Sequence, residues 1–206
     1  MERRMPNQTF FNLPTEKHDR IMDAIIKELG IHTYEHVNLS NIVRDSGIPR
    51  GSFYQYFKDK DDLYQYFMSH IANKKMEHWG ALYSNELSIP FLDRYYQICL
   101  KGFTFAKKYP ELMKAGQKIM DSDYFKNSEL TKYALKTANL IFSSFIIKDQ
   151  ELGLIRKDAN PSMIAALLLD FMNRITLEEY MNTNVDLPSI EEKIGQLIEI
   201  FKKGIE

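Results

Sequence analysis

Six side chains able to exchange hydrogen bonds crowd into one short stretch: Arg50, Ser52, Tyr54, Gln55, Tyr56 and, four residues further on, Lys60. The planar fork of an arginine matches O6 and N7 of guanine, and a glutamine amide matches N6 and N7 of adenine. Arg50 and Gln55 are therefore candidates to read base edges. Tyr56 and Lys60 suit phosphate oxygens, and Gly51 lets a partner approach the backbone closely. The chemistry these types could perform together is groove recognition of a duplex, with no bond made or broken.

Such side chains work only from a short helix that is clamped behind and presented in front. Residues 39–57, LSNIVRDSGIPRGSFYQYF, read as two short helices joined by a turn. Asn38 is a good N-cap for the first, whose inner face is Leu39, Ile42 and Val43. Gly47 suits the left-handed position that ends it, where a side chain would clash. Ile48 turns inward, and Phe53 and Phe57, four apart, anchor the second helix. Lys60 opens the following helix, whose first amides and positive dipole end could face the same phosphates. A tyrosine-rich helical corner serving protein contacts is the alternative reading of this pattern.

Residues 15–75 resemble the DNA-binding domain of the TetR/AcrR family of bacterial transcriptional regulators. The run that carries the resemblance is Ile42, Gly47-Ile48, Gly51-Ser52-Phe53-Tyr54, Tyr56-Phe57, Lys60 and Leu63. The resemblance implies base or groove contacts from Arg50, Gly51, Ser52, Tyr54 and Gln55. It implies phosphate contacts from Tyr56 and Lys60, with Asn38 and Ser40 at the start of the supporting helix. Two positions depart from the family pattern. Pro49 stands where such proteins often have Ser, so the second helix loses a side-chain cap worth about 1 kcal/mol. Val43 stands where Ala is usual.

Helical periodicity continues through the rest of the chain, and no strand pattern survives. An arm (residues 1–14) contains Phe10, Phe11 and Leu13, which suit packing on the first helix, and Arg3 and Arg4, which could touch a groove. The first helix is expected to use Thr15 as its cap and Gly30 as its stop. A long helix runs from residue 60 to about 85. Further helices are expected from Pro90 to Tyr109, around residues 111–120, over 123–152, from Asn160-Pro161 to Met181, and from Pro188 onward. The expected class is all-α with about nine helices: a three-helix head with its helix-turn-helix motif at 38–57, a long connecting helix and a C-terminal helical bundle. The expected domains are 15–75 for DNA binding and 76–206 for effector binding and dimerisation.

The last two helices carry more apolar surface than one bundle face needs, so a twofold mate is expected over Leu167, Phe171, Ile175, Ile194, Leu197 and Phe201. Aromatic and Met side chains suit an adaptable pocket. The candidates are Tyr95, Tyr96, Phe103, Met113, Met120, Tyr124, Phe142 and Phe145, facing a small apolar or aromatic effector.

Composition limits the rest. Net charge is −1, and residues 1–75 carry 11 Lys/Arg against 10 Asp/Glu, so any basic face is local. The single cysteine, Cys99, excludes an intrachain disulfide and reads as a small buried hydrophobe. No apolar run approaches a membrane span, and the start lacks a signal-peptide core. The expected location is cytoplasmic, without membrane association. His32 and His36, and His70 and His78, lack a third ligand, so no metal is expected. No nucleophile–base pair, P-loop or dinucleotide fingerprint appears, so neither enzymatic activity nor a cofactor is expected.

The function expected from sequence is a dimeric regulator bound to a pseudo-palindromic operator in double-stranded DNA, a repressor released by its effector. A helical ligand-binding or scaffold module without specific DNA binding is the alternative.

Overall fold

In the computed structural model, residues 6–84, 88–176, 178, 182 and 184–205 are described, apart from the side chains of Leu130 and Ile205. Arg3, Arg4 and Met181 lie outside them. Among the described residues there are eleven α-helices and no strand. They run α1 (Gln8–Phe11), α2 (Thr15–Ile31), α3 (Leu39–Ser46), α4 (Arg50–Tyr56), α5 (Lys60–Trp79) and α6 (Phe91–Lys108). Then follow α7 (Pro110–Asp121), α8 (Asp123–Lys126), α9 (Glu129–Glu151), α10 (Pro161–Ile175) and α11 (Leu187–Ile205). Among the described residues no helix is long and apolar enough to cross a membrane.

The chain divides into two compact units. The first is Met1–Lys74 with Glu111–Lys126; the second is Lys75–Pro110 with Asn127–Glu206. Thus α7 and α8 cluster with the N-terminal helices, although they follow α6 in sequence.

The first unit is built on α2. Ile21, Ile25 and Leu29 are buried along one side, where Ile42, Phe53, Phe57, Leu63 and Phe67 join them. Leu112, Ala115 and Ile119 supply the inner face of α7. Gly30 does not stop α2, which continues to Ile31 and closes with His32 N donating to Glu28 O. A methyl group on Gly30 would meet Lys114 and Ala115 of α7 at 3.9–4.0 Å, an ordinary contact. Gly30→Ala is therefore expected to stabilise the protein by about 0.5–1 kcal/mol through helix propensity. A rise in the urea midpoint checks it. Nor does Thr15 cap α2: Pro14 occupies the cap position without a side-chain bond.

The second unit packs α6, α9, α10 and α11 around Phe91, Tyr95, Ile98, Phe142, Leu168 and Ile194. Asn160 caps α10 as its sequence implies, its Oδ1 accepting from Met163 N at 3.1 Å. The helix expected over 123–152 is two helices. Ser128 is extended and caps α9 through Thr131 N, so the chain breaks at Asn127. Three-to-four spacing on both sides of the break hid it. Across the far end of α9, the Asp149 carboxylate accepts from Phe91 N, tying the start of α6. Cys99 is fully buried, and burial pushes its thiol up to about 12.

Candidate nucleic-acid interface

The helix-turn-helix forms as its sequence demands. Asn38 Oδ1 accepts from Ser40 N at 2.9 Å and starts α3. Gly47, at φ 66°, ends it, with Gly47 N and Ile48 N returning to Arg44 O and Val43 O. Pro49 precedes α4 and provides no side-chain cap. Behind the motif, Glu28 is buried and accepts from Asn38 N (2.8 Å) and Asn41 Nδ2 (3.1 Å), fixing the start of α3 to α2. Lys27 Nζ donates to Asp45 at 2.7 Å, and with Arg44 it holds the Asp45 carboxyl below the usual carboxylate range.

α4 is clamped from within and from its C-terminal end. Phe53 and Phe57 are wholly buried with ring centroids 5.4 Å apart. The arm then covers what α4 leaves open. Asn7 N donates to Tyr56 O at 3.0 Å and Thr9 Oγ1 to Gln55 O at 3.4 Å, satisfying carbonyls that a short helix otherwise leaves unpaired. Phe10 fills the core behind them, 5.0 Å from Phe57, 5.2 Å from Tyr66 and 4.9 Å from His18. Phe10, Phe11 and Leu13 mark the arm for packing, but periodicity could not show that it also satisfies the end of α4.

The nine residues singled out from the sequence divide by exposure. Arg50, Gly51, Tyr54 and Gln55 face solvent on α4, and Asn38 and Ser40 do so at the start of α3. A Cβ built on Gly51 would meet nothing within 4 Å, so that side of α4 is open. Ser52 is half-buried. Tyr56 is only 5% exposed and packs against Phe10 at 5.7 Å. Lys60 is engaged: its Nζ donates to Tyr34 O at 2.7 Å and lies 4.2 Å from the centre of the Tyr34 ring.

The N-terminus of α5 is not the open anion site its position suggested. Asp59 Oδ1 accepts from Asp62 N, and Asp62 Oδ2 accepts from Lys58 N, both at 2.9 Å. With Asp61 in the same turn, the chain's own carboxylates answer the helix dipole. Tyr34 lies at the centre of this cluster. It donates to Asp61, and its ring stacks on Tyr124 of α8 at 3.8 Å and 5°. Burial, then Asp61, holds its phenol well above the ordinary tyrosine range.

Residues 21–67 match the family model for bacterial regulatory proteins of the tetR family. The chain carries a TetR-family helix-turn-helix. It is 22% identical over 177 residues to an uncharacterized HTH-type transcriptional regulator, YdgC, of Bacillus subtilis (strain 168), across 84% of this chain and 86% of that one. The fold matches a TetR family transcriptional regulator from Chloroflexus aurantiacus J-10-FL at TM-score 0.74 and 24% identity, over 98% and 99% of the two chains. It also matches the transcriptional regulator FadR from Bacillus subtilis, solved with stearoyl-CoA, at TM-score 0.70 and 18% identity, over 88% and 97%. The TetR-family fold of an N-terminal helix-turn-helix followed by a helical C-terminal part thus extends along the chain.

The remaining sequence candidates fall in both units. Tyr95, Phe103, Phe142 and Phe145 are buried in the second, with Tyr96 half-buried; Tyr95 Oη donates to Leu168 O at 2.8 Å. Met113, Met120 and Tyr124 belong to the first unit. Along α10 and α11, Ile175 and Ile194 are core residues, Phe171, Leu197 and Phe201 are half-buried, and Leu167 is exposed. Among the described residues no three His, Cys, Asp or Glu side chains are grouped to hold a metal ion.

Proposed function

We propose that this TetR-family regulator is a dimeric repressor that reads a pseudo-palindromic operator and leaves it when a small effector binds. The observation that carries the reading is the outward face of α4. Arg50, Gly51, Tyr54 and Gln55 are solvent-exposed on a helix whose other side is clamped by Phe53, Phe57 and the arm. Rigid backing with an open polar front is what base readout requires.

In this reading Arg50 and Gln55 contact base edges, and Gly51, Ser52 and Tyr54 line the groove. Asn38 and Ser40 meet the backbone, with Lys60 and the edge of Tyr56 beside them. Lys60 must exchange its Tyr34 carbonyl for a phosphate to do so. The first unit does the reading, and the second binds effector and mate. One short helix reads too few bases for a genomic site, so two half-sites about 34 Å apart are needed. Met163 (63% exposed), Leu167 (55%) and Ile200 (69%) supply apolar surface on α10 and α11 for the partner copy. Because α5 begins in the first unit and ends in the second, an effector-induced shift at its end reaches the reading helices through one continuous rod. The FadR structure with stearoyl-CoA supports effector binding within this fold.

The test is a polarisation titration of the duplex upstream of the protein's own gene against a scrambled duplex, between 50 and 200 mM salt. Specific binding with a steep negative salt slope is expected; binding indifferent to sequence and salt would contradict the reading. Gly51→Ala separates fold from function in the same assay. With open space at its Cβ it should keep or slightly raise stability, yet weaken operator binding at least tenfold because the backbone no longer reaches the groove.

A further inference from the structure

The end of α5 and the turn after it carry a polar cluster that the DNA-reading machinery does not use. Lys75, Trp79 and Tyr83 follow one another at four-residue spacing, all in the second unit. The Trp79 and Tyr83 rings lie 5.2 Å apart, and Tyr83 is 6.4 Å from Phe142 of α9. Phe142 in turn meets Tyr95 at 6.2 Å, so an aromatic wall continues inward from the cluster.

The polar atoms of this cluster are donors without acceptors. Trp79 Nε1 is buried and has no hydrogen-bond partner among the described residues. Lys75 makes neither a hydrogen bond nor an ion pair there; its ammonium lies 5.8 Å from the centre of the Trp79 ring. Burial draws that ammonium below the ordinary lysine range. The neighbouring lysine on α6 is already used: Lys101 Nζ donates to His78 O (3.1 Å) and Trp79 O (3.2 Å), closing the end of α5. Burial holds the Tyr83 phenol well above its usual range, with the Cys99 thiol a lesser cause. No carboxylate is bonded to any member of the set among the described residues.

An unpaired indole N–H and an unpaired, partly buried ammonium each carry a desolvation penalty, which folded proteins normally relieve with a partner. Both want an acceptor, and the cation wants a negative one. We propose that Lys75 and Trp79 form the polar end of an effector site for amphipathic carboxylates. The carboxylate accepts from Lys75 Nζ and Trp79 Nε1, and the apolar body lies along the Trp79 and Tyr83 rings. This rests on the reading of the protein as effector-responsive and narrows the effector to acids with an apolar body.

Trp79 is the single tryptophan of the chain, so its emission reports the site directly. The full-length protein, without DNA, is titrated with octanoate, dodecanoate and cyclohexanecarboxylate, each against its alcohol of the same carbon skeleton. At least one acid should give a saturable change in Trp79 emission at a concentration tenfold or more below its alcohol. Lys75→Met, which keeps the stem and removes a partly buried charge, should fold with an unchanged circular dichroism spectrum and lose the preference for the acid. Equal response to acid and alcohol, no response to any acid, or an acid preference retained by Lys75→Met overturns the assignment. The wild-type comparison stands whatever the variant does. Because no DNA is present, failure here leaves the operator titration untouched, and failure of that titration leaves this result untouched.

Discussion

Phe10→Ala is expected to destabilise the first unit by about 3–5 kcal/mol and to abolish operator binding. Phe10 is wholly buried, although it stands in a segment with no helical period of its own. Its ring touches the rings of Tyr56, Phe57, Tyr66 and His18, so truncation opens a cavity bordered by α2, α4 and α5. The loss does not stop at the cavity. The same arm delivers Asn7 N and Thr9 Oγ1 to the last carbonyls of α4, and those bonds depend on Phe10 to hold the arm down. The neighbouring Phe11→Ala is the control: Phe11 is half exposed, so its replacement should cost less than about 1 kcal/mol. Urea denaturation and operator polarisation measure both variants. A Phe10→Ala protein within 1 kcal/mol of wild type would contradict the role given to the arm.

Glu28→Ala should cost about 2–4 kcal/mol. The carboxylate is buried between α2 and α3 and accepts two donors, Asn38 N and Asn41 Nδ2. Removing it strands both donors, each a desolvated group without a partner, and frees the start of α3 from α2. Glu28→Gln keeps one acceptor for Asn38 N but turns an amide donor toward Asn41, so it should fall between wild type and Glu28→Ala. Operator affinity should drop in step with stability at a fixed temperature. Glu28→Ala and Glu28→Gln melting together near wild type would show that Glu28 does not organise the motif.

These two residues also mark where sequence reasoning stops. Gly47, Asn38, Phe53 and Phe57 were legible because each obeys a local rule: a left-handed turn, a cap, an inner face four residues long. The all-α class was legible for the same reason. Glu28 was not, because an acid within an apolar period looks like a surface residue until its two donors are seen. Phe10 was legible as a residue that packs on the first helix, but its part in holding the arm on α4 was not, because one buried ring in a four-residue helix has no period to detect. The break at Asn127 was hidden by apolar spacing that stays in phase on both sides. The clustering of α7 and α8 with the first unit is a long-range fact, invisible to any local pattern.

The candidate site was legible in part. Arg50, Ser52, Tyr54, Gln55 and Tyr56 were expected to face outward from α4; Arg50, Tyr54 and Gln55 are exposed there, Ser52 is half-buried and Tyr56 is buried. Lys60 was marked as a cation near the helix start, but its engagement with Tyr34 depends on residues 26 positions apart in sequence. Tyr56, four residues from Ser52, turned inward because the arm covers it. In the second unit, Tyr95 and Phe142 stand out in the sequence as aromatics, whereas Lys75 and Trp79 read as one more turn of a long helix.

Arg50 is proposed to read a guanine from α4. The direct measurement is binding of wild type and Arg50→Ala to the operator with each guanine replaced in turn by 7-deazaguanine, which lacks the N7 acceptor. Wild type should lose about 1–3 kcal/mol at one guanine per half-site. Arg50→Ala should be insensitive at that same guanine while still responding to the others. Equal sensitivity of both proteins at every guanine would contradict the account.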